Sequence, residues 1–213
     1  MDTIKSKYHE TLAATVIKNL EKRQMEGYYC PTVEDAEKLA FSFLKDGQTV
    51  SFGGSMTLEE TGMLTALRHD PSIHLIDRST AKTPDETKKM YHDVLSSDVY
   101  FMSTNAITTG GELVNIDGTG NRVAALIYGP ETVVILAGMN KIAANVDEAL
   151  SRVHNVATAQ NCIRLDKKTP CAITGACADC LSPDCICNQV VITRRSGIKG
   201  RIKVLLIGES FGY

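Results

Sequence analysis

Thr49-Val50-Ser51-Phe52-Gly53-Gly54-Ser55-Met56-Thr57 is the stretch whose reading decides the fold. Its first four residues read as a short buried strand. Two glycines then turn the chain, and a helix is predicted through Leu58 to Leu67, with Thr57 and Glu60 as a capping-box pair. A strand, a glycine turn and a helix start bring free backbone N–H groups and the helix dipole to one point, which suits an anion. Gly53, Gly54, Ser55 and Thr57 are therefore candidate ligand-binding residues. No Gly-Lys-Ser/Thr follows, and the third glycine of a dinucleotide fingerprint is missing, so neither standard nucleotide loop is present. A tight turn before a capped helix would read the same way. Glu59, not needed as a cap, is a candidate for acid–base chemistry.

The flanking sequence repeats this alternation. Ile73-His74-Leu75-Ile76, Val99-Tyr100-Phe101-Met102 and Thr132-Val133-Val134-Ile135-Leu136 read as buried strands. Thr32 with Asp35, Thr83-Pro84-Asp85-Glu86 and Asn145 mark helix starts. Ile4, Tyr8, Leu12, Val16 and Leu20 define one face of an N-terminal helix ending near Gly27, either a docked core helix or a swung-out dimerisation arm. Residues 122–128 fit helix or strand equally. Strands alternating with helices predict an α/β fold with a mainly parallel sheet flanked by helices. Residues 161–188 read as an irregular cysteine-rich loop, and Gln189–Thr193 and Ile202–Ile207 as two closing strands of a hairpin around Ser196-Gly197. The whole of 1–213 is expected to be one domain, with 1–26 as its helical arm.

Two further glycine segments flank one predicted strand, Glu112–Ile116. They are Thr108-Thr109-Gly110-Gly111-Glu112 and Asp117-Gly118-Thr119-Gly120-Asn121. Ligands of open α/β sheets gather at strand ends. Thr109, Gly110, Gly111, Gly118, Gly120 and Asn121 are thus ligand-binding candidates, with Glu112 and Asp117 as acid–base candidates. The alternative is a glycine-rich hairpin whose polar residues satisfy local backbone. Lys141, after the strand at 132–136, could neutralise a bound anion.

The composition, 43% hydrophobic and 23% charged with a net charge of −2, is that of an ordinary globular chain. It offers no global field to recruit nucleic acid or an anionic membrane. No apolar run approaches the roughly 20 residues that span a bilayer, and Met1-Asp2-Thr3-Ile4-Lys5 lacks the apolar core of a signal peptide. A cytoplasmic location is expected. Five of the seven cysteines, Cys171, Cys177, Cys180, Cys185 and Cys187, fall in one short stretch. In a reducing compartment such a cluster points to metal or redox chemistry. Four of the five could hold an iron–sulfur cluster or zinc; free thiols or disulfides are the other readings. Cys30 is expected in the core. Arg194, Arg195, Lys199, Arg201 and Lys203 read as a solvated basic edge.

"SFGGSMTLEETGM", "TTGGELVNIDGTGNRVAALIYGP" and "VVILAGMNKIAANVDEAL", in this order and spacing, resemble the LUD domain, the family of lactate-utilization proteins. The resemblance covers about residues 10–157, and the closing strands suit it. The tail "TPCAITGACADCLSPDCICNQVVITRR" resembles that of a cysteine-tailed subgroup. The resemblance implies a fold like that of the sugar-phosphate isomerase and CoA-transferase superfamily, whose first such turn cradles a phosphate or a CoA-like group. It also implies organic-acid metabolism beside iron–sulfur oxidoreductase subunits, a small anionic metabolite as ligand, and a homodimer. A transferase or isomerase with a structural zinc tail, or a non-enzymatic ligand sensor, are the alternative functions. The full acidic motif of the isomerases is not found, and Glu112 does not match the CoA-transferase nucleophile.

Overall fold

A computed structural model describes residues 3–213; Met1 and Asp2 of the expected arm lie outside the described residues. Six parallel strands form the main sheet. In chain order they are β1 (Glu26–Cys30), β2 (Thr49–Phe52), β3 (His74–Ile76), β4 (Val99–Met102), β7 (Thr132–Gly138) and β10 (Ile202–Ile207). Their order across the sheet is β1-β10-β7-β4-β2-β3. A second, mixed sheet, ordered β8-β5-β6-β9, joins β5 (Ala106–Thr108), β6 (Leu113–Asp117), β8 (Ile142–Ala143) and β9 (Gln189–Thr193). The α/β class is as expected. The second sheet is not, and it splits the expected closing hairpin: β9 pairs antiparallel with β6, whereas β10 runs parallel between β1 and β7.

The main sheet is apolar on both faces because helices cover both. Side chains alternate along each strand. Tyr100, Met102, Val133, Ile135, Val204 and Leu206 pack with Ala13, Val16 and Leu20 of α1 (Thr3–Lys22). Val99, Phe101, Val134, Leu136, Leu205 and Ile207 face the other way. They pack with Ala36 and Ala40 of α2 (Val33–Phe41), Leu58 of α3 (Met56–Glu60), and Met63, Leu64 and Leu67 of α4 (Met63–His69). Cys30 belongs to this second cluster, and burial pushes its thiol up to about 11. The helix α1 is docked, but its buried stripe runs His9, Ala13, Val16, Leu20; Ile4 and Tyr8 are exposed.

Three expected helix starts are present: Thr32, Thr83 and Asn145 each accept a hydrogen bond from the backbone N–H three residues on. They open α2, α5 (Pro84–Val94) and α7 (Val146–Arg152). The ambiguous 122–128 stretch is helical, as α6 (Asn121–Ile127). Its last carbonyls, Ala125 O and Leu126 O, accept from Arg201, which is therefore a buried cap and not part of a solvated edge. Lys203 is also engaged, pairing with Glu26. After α7 the helix continues through a π-helical stretch, Val153–Thr158, into α8 (Ala159–Arg164), and a short α9 (Pro170–Thr174) follows. Among the described residues no helix is long and apolar enough to cross a membrane.

Candidate functional site

The strand β2 leads to β3 on one side and lies beside β4 on the other, after which the chain works toward the opposite edge. The crevice beyond the carboxyl ends of β2 and β4 is thus a topological switch point. A cleft of about 500 Å³ opens there. It is lined by Gly54-Ser55-Met56-Thr57 after β2, Ser103-Thr104-Asn105 after β4, Asp117-Gly118-Thr119 and Asn121-Arg122 after β6, and Lys141 after β7. Ala157 and Thr158 of the π-helical stretch close one wall with Cys185 and Ile186. π-Helical turns widen a helix locally and frequently accompany functional sites.

Local geometry explains the glycines at the first turn. A Cβ on Gly53 would sit 2.7 Å from Tyr100 Oη and 3.2 Å from Arg122 Cγ, and one on Gly54 would collide with Arg78 Nη2. The expected cap is displaced. Ser55, not Thr57, caps the helix, with Oγ accepting from Leu58 N at 3.4 Å. Thr57 Oγ1 donates to Phe211 O at 3.2 Å, and Glu60 accepts from Gly212 N at 2.6 Å. The helix breaks at Gly62, at φ +73°, so α3 has five residues instead of running to Leu67. So short a helix has a small dipole, and the attraction for an anion passes to side chains. Glu59 is exposed on α3 and is not part of the cleft wall.

Those side chains are basic. Arg78, Arg122, Lys141, Arg164 and Lys167 line the cleft against, among the described residues, a single carboxylate side chain, Asp117. Arg122 is the keystone. It donates to Asn115 Oδ1 at 2.6 Å, Asn105 Oδ1 at 3.0 Å, Ile116 O at 2.7 Å and Ser103 O at 3.3 Å, and pairs with Asp117 at 3.2 Å. Burial holds its guanidinium below the ordinary range, and the Asp117 charge opposes this. The other Asp117 oxygen accepts from Thr119 N and Gly120 N, forming an Asx-type turn. Lys141 is 3% exposed, and its Nζ donates to Tyr213 O at 2.8 Å. Burial, with Arg152 and Arg122 nearby, brings its amine from 10.5 down to about 7.

The second glycine segment goes elsewhere. Thr109, Gly110 and Gly111 form the β5–β6 hairpin turn, and Glu112 lies at the amino end of β6, opposite Asp117. At about 3.3 Å per residue the two ends are roughly 16 Å apart. Glu112 accepts from Arg23 Nη2 and Thr108 Oγ1, and Gly111 abuts the Asn19–Leu20 backbone of α1. These four residues are not brought to the cleft; they anchor α1.

The cysteines divide as well. Cys162, outside the expected set, is buried beside Cys171 and Thr169. Cys187 neighbours Cys185 and Thr158, and the Cys162 and Cys187 thiols also feel one another. Burial raises both, Cys187 to about 12. Cys177 Sγ instead faces His154 Nδ1 at 3.7 Å. Among the described residues no group of three or more His, Cys, Asp or Glu is arranged to hold a metal ion. In this geometry the five expected ligands are not gathered into one such group.

Arg78, Arg122, Arg164, Lys167 and Thr158 were not legible as site residues. Arg122 alone had a local signal, its position directly after the Asp117–Asn121 turn.

Fold and cleft together define an α/β protein with a cationic crevice at the switch point of a parallel sheet. The chain belongs to the LUD domain family, whose model matches residues 13–207. A DUF162 family protein from Deinococcus radiodurans has a similar fold, with a TM-score of 0.52 at 9% identity over 93% of this chain and 98% of that one. Weaker likenesses include ribose 5 phosphate isomerase A from Neisseria gonorrhoeae, with a TM-score of 0.34 at 15% identity over 52% of each chain. The tetrameric eIF2B-beta2-delta2 complex from C. thermophilum gives 0.38 at 18% identity, over 54% of this chain and 43% of that one. Both are too distant to carry an argument. No curated protein matches the sequence.

Proposed function

We propose that this LUD-domain protein serves organic-acid metabolism of the lactate type by binding a small anionic or phosphorylated metabolite in the cleft. The observation that carries the reading is the imbalance of charge: among the described residues, Arg78, Arg122, Arg164 and Lys167 face one carboxylate side chain around about 500 Å³, before the buried Lys141 amine is counted. Asp117 is already held by Arg122, so an incoming anion meets a net positive surface. Ser55 and Thr57 bring hydroxyls to its lining. Differential scanning with lactate, pyruvate, inorganic phosphate and coenzyme A tests this. A ligand present at about a hundredfold its Kd stabilises the fold by about 2.7 kcal/mol and raises the melting temperature. If none of the four moves it, the anion-cleft reading fails.

A second reading concerns the tail. Cys162, Cys171, Cys185 and Cys187 share one neighbourhood beside the cleft. This favours a cysteine-ligated centre, iron–sulfur or zinc, formed if the 175–188 loop closes on it. Metal binding would have to displace the thiol protons. Docking of an iron–sulfur redox partner beside such a centre belongs to the same reading. Iron, zinc and acid-labile sulfide are measured on protein purified without oxygen. Stoichiometric metal supports the centre, and its absence removes it.

A further inference from the structure

Lys141 is placed as a reactive amine would be. It ends a single 3-10 turn, Met139–Lys141, at the carboxyl end of β7, and is buried except where it meets the cleft. An ammonium has three protons to donate, but one hydrogen bond is made, to Tyr213 O. Among the described residues no Asp or Glu side chain forms an ion pair with it. Among the described residues its charged side-chain neighbours are cations, Arg152 and Arg122, with the charge of Glu60 opposing them. Both guanidiniums are fixed by other partners, Arg152 by Asn140 O and Asn105 O and Arg122 by Asp117. Neither can turn away. Desolvation and adjacent cations are the two devices that keep a lysine unprotonated and nucleophilic. The amine also has a hydroxyl near it: Thr57 Oγ1 and Lys141 Nζ converge on Gly212, where an added Cβ would lie 2.6 Å from the first and 3.4 Å from the second.

We propose that Lys141 Nζ captures, as an imine, a carbonyl compound that also carries a carboxylate or phosphate. The proposal rests on the anion-cleft reading and deepens it, because Arg78, Arg164 and Lys167 would hold the anionic group while the carbonyl carbon meets the amine. The neutral amine adds to that carbon. A C–N bond forms as the C=O π pair moves to oxygen, which takes up a proton. The carbinolamine then loses water and leaves the imine. Amine plus carbonyl gives imine plus water, so no oxidant or reductant is needed.

The test traps the adduct. The full chain is incubated at pH 7 with pyruvate or, separately, dihydroxyacetone phosphate, with sodium cyanoborohydride to reduce any imine. Intact mass and peptide mapping then follow. One adduct per chain is expected, on Lys141, formed at least roughly a hundredfold faster than on a surface lysine, whose neutral fraction is about a thousandfold lower. Lys141→Arg and Lys141→Met, checked for folding by circular dichroism, should lose it. Adduct with pyruvate assigns the anionic group as carboxylate, and adduct with the triose phosphate assigns it as phosphate. Labelling spread over surface lysines, or an unlabelled Lys141, overturns the proposal. Inorganic phosphate is titrated against the same samples. Phosphate binding without an adduct overturns the covalent step alone, whereas neither result overturns the cleft reading with it.

Discussion

At one end of β6, Thr109-Gly110-Gly111-Glu112 turns the chain against α1; at the other, Asp117-Gly118-Thr119-Gly120 turns it into the cleft. Both segments are glycine-rich, both carry one carboxylate, and in both an arginine engages that carboxylate: Arg23 for Glu112 and Arg122 for Asp117. The difference lies in what the glycines are for. Gly111 has φ +87°, and a Cβ there would lie 2.9 Å from the Asn19–Leu20 peptide, so it is a packing glycine. Gly118 has ordinary φ, and a Cβ there would come no closer than 3.4 Å to Ile186. A glycine-carboxylate segment at a strand end signals a tight turn; only the sheet's topology decides whether the turn faces a ligand.

The largest effect should come from the Asp117 end. Arg122→Leu leaves Asp117 buried without its partner and several oxygens unsatisfied. A loss of about 3–5 kcal/mol is expected in urea unfolding. Arg23→Leu, at the somewhat more exposed Glu112 pair, should cost about 1–2 kcal/mol in the same measurement. Equal losses would mean that the two ends are not distinct.

The glycines separate next. Gly111→Ala should cost about 1–3 kcal/mol, from the positive φ and the approach to α1. Gly118→Ala should stay within about 0.5 kcal/mol. Thermal unfolding of the two variants checks the order.

Lys141→Met tests the cost of a buried amine. The amine titrates near 7 in the fold and near 10.5 in the unfolded chain. Between those values the unfolded state binds more protons, so this group's penalty is full below about pH 7 and fades as pH rises towards 10. The variant should melt at least about 2–4 °C higher at pH 6. That gain should shrink by pH 10. A gain independent of pH would mean that the amine is not depressed.

Much of the fold was legible because its signals are local. The strands at 49–52, 99–102 and 132–136 are continuous apolar runs, as a sheet covered on both faces requires, and Thr32, Thr83 and Asn145 announce their helices. Illegible parts depend on distant partners. The strand β1, Glu-Gly-Tyr-Tyr-Cys, is half-covered, and its register is set by β10 at the far end of the chain. The π-helical stretch at 153–158 has no compositional mark. At the site, Gly54, Ser55, Thr57, Asp117, Gly118, Asn121 and Lys141 come together, since each follows a strand whose carboxyl end faces the switch point. Arg78 and Lys167 sit in connections with no such mark, and Cys162 joins Cys171 only because α8 and α9 fold back on one another.

Calorimetric titration of wild type, of Ser55→Ala with Thr57→Ala, and of Glu112→Gln with pyruvate and with inorganic phosphate tests the central claim most directly. The account expects the wild type to bind at least one of the two anions. The double variant should be weakened about tenfold, on the order of one hydrogen bond's worth of free energy, and Glu112→Gln should be unchanged. Failure of the wild type to bind either anion would contradict it, and so would binding that survives the double variant but is lost in Glu112→Gln.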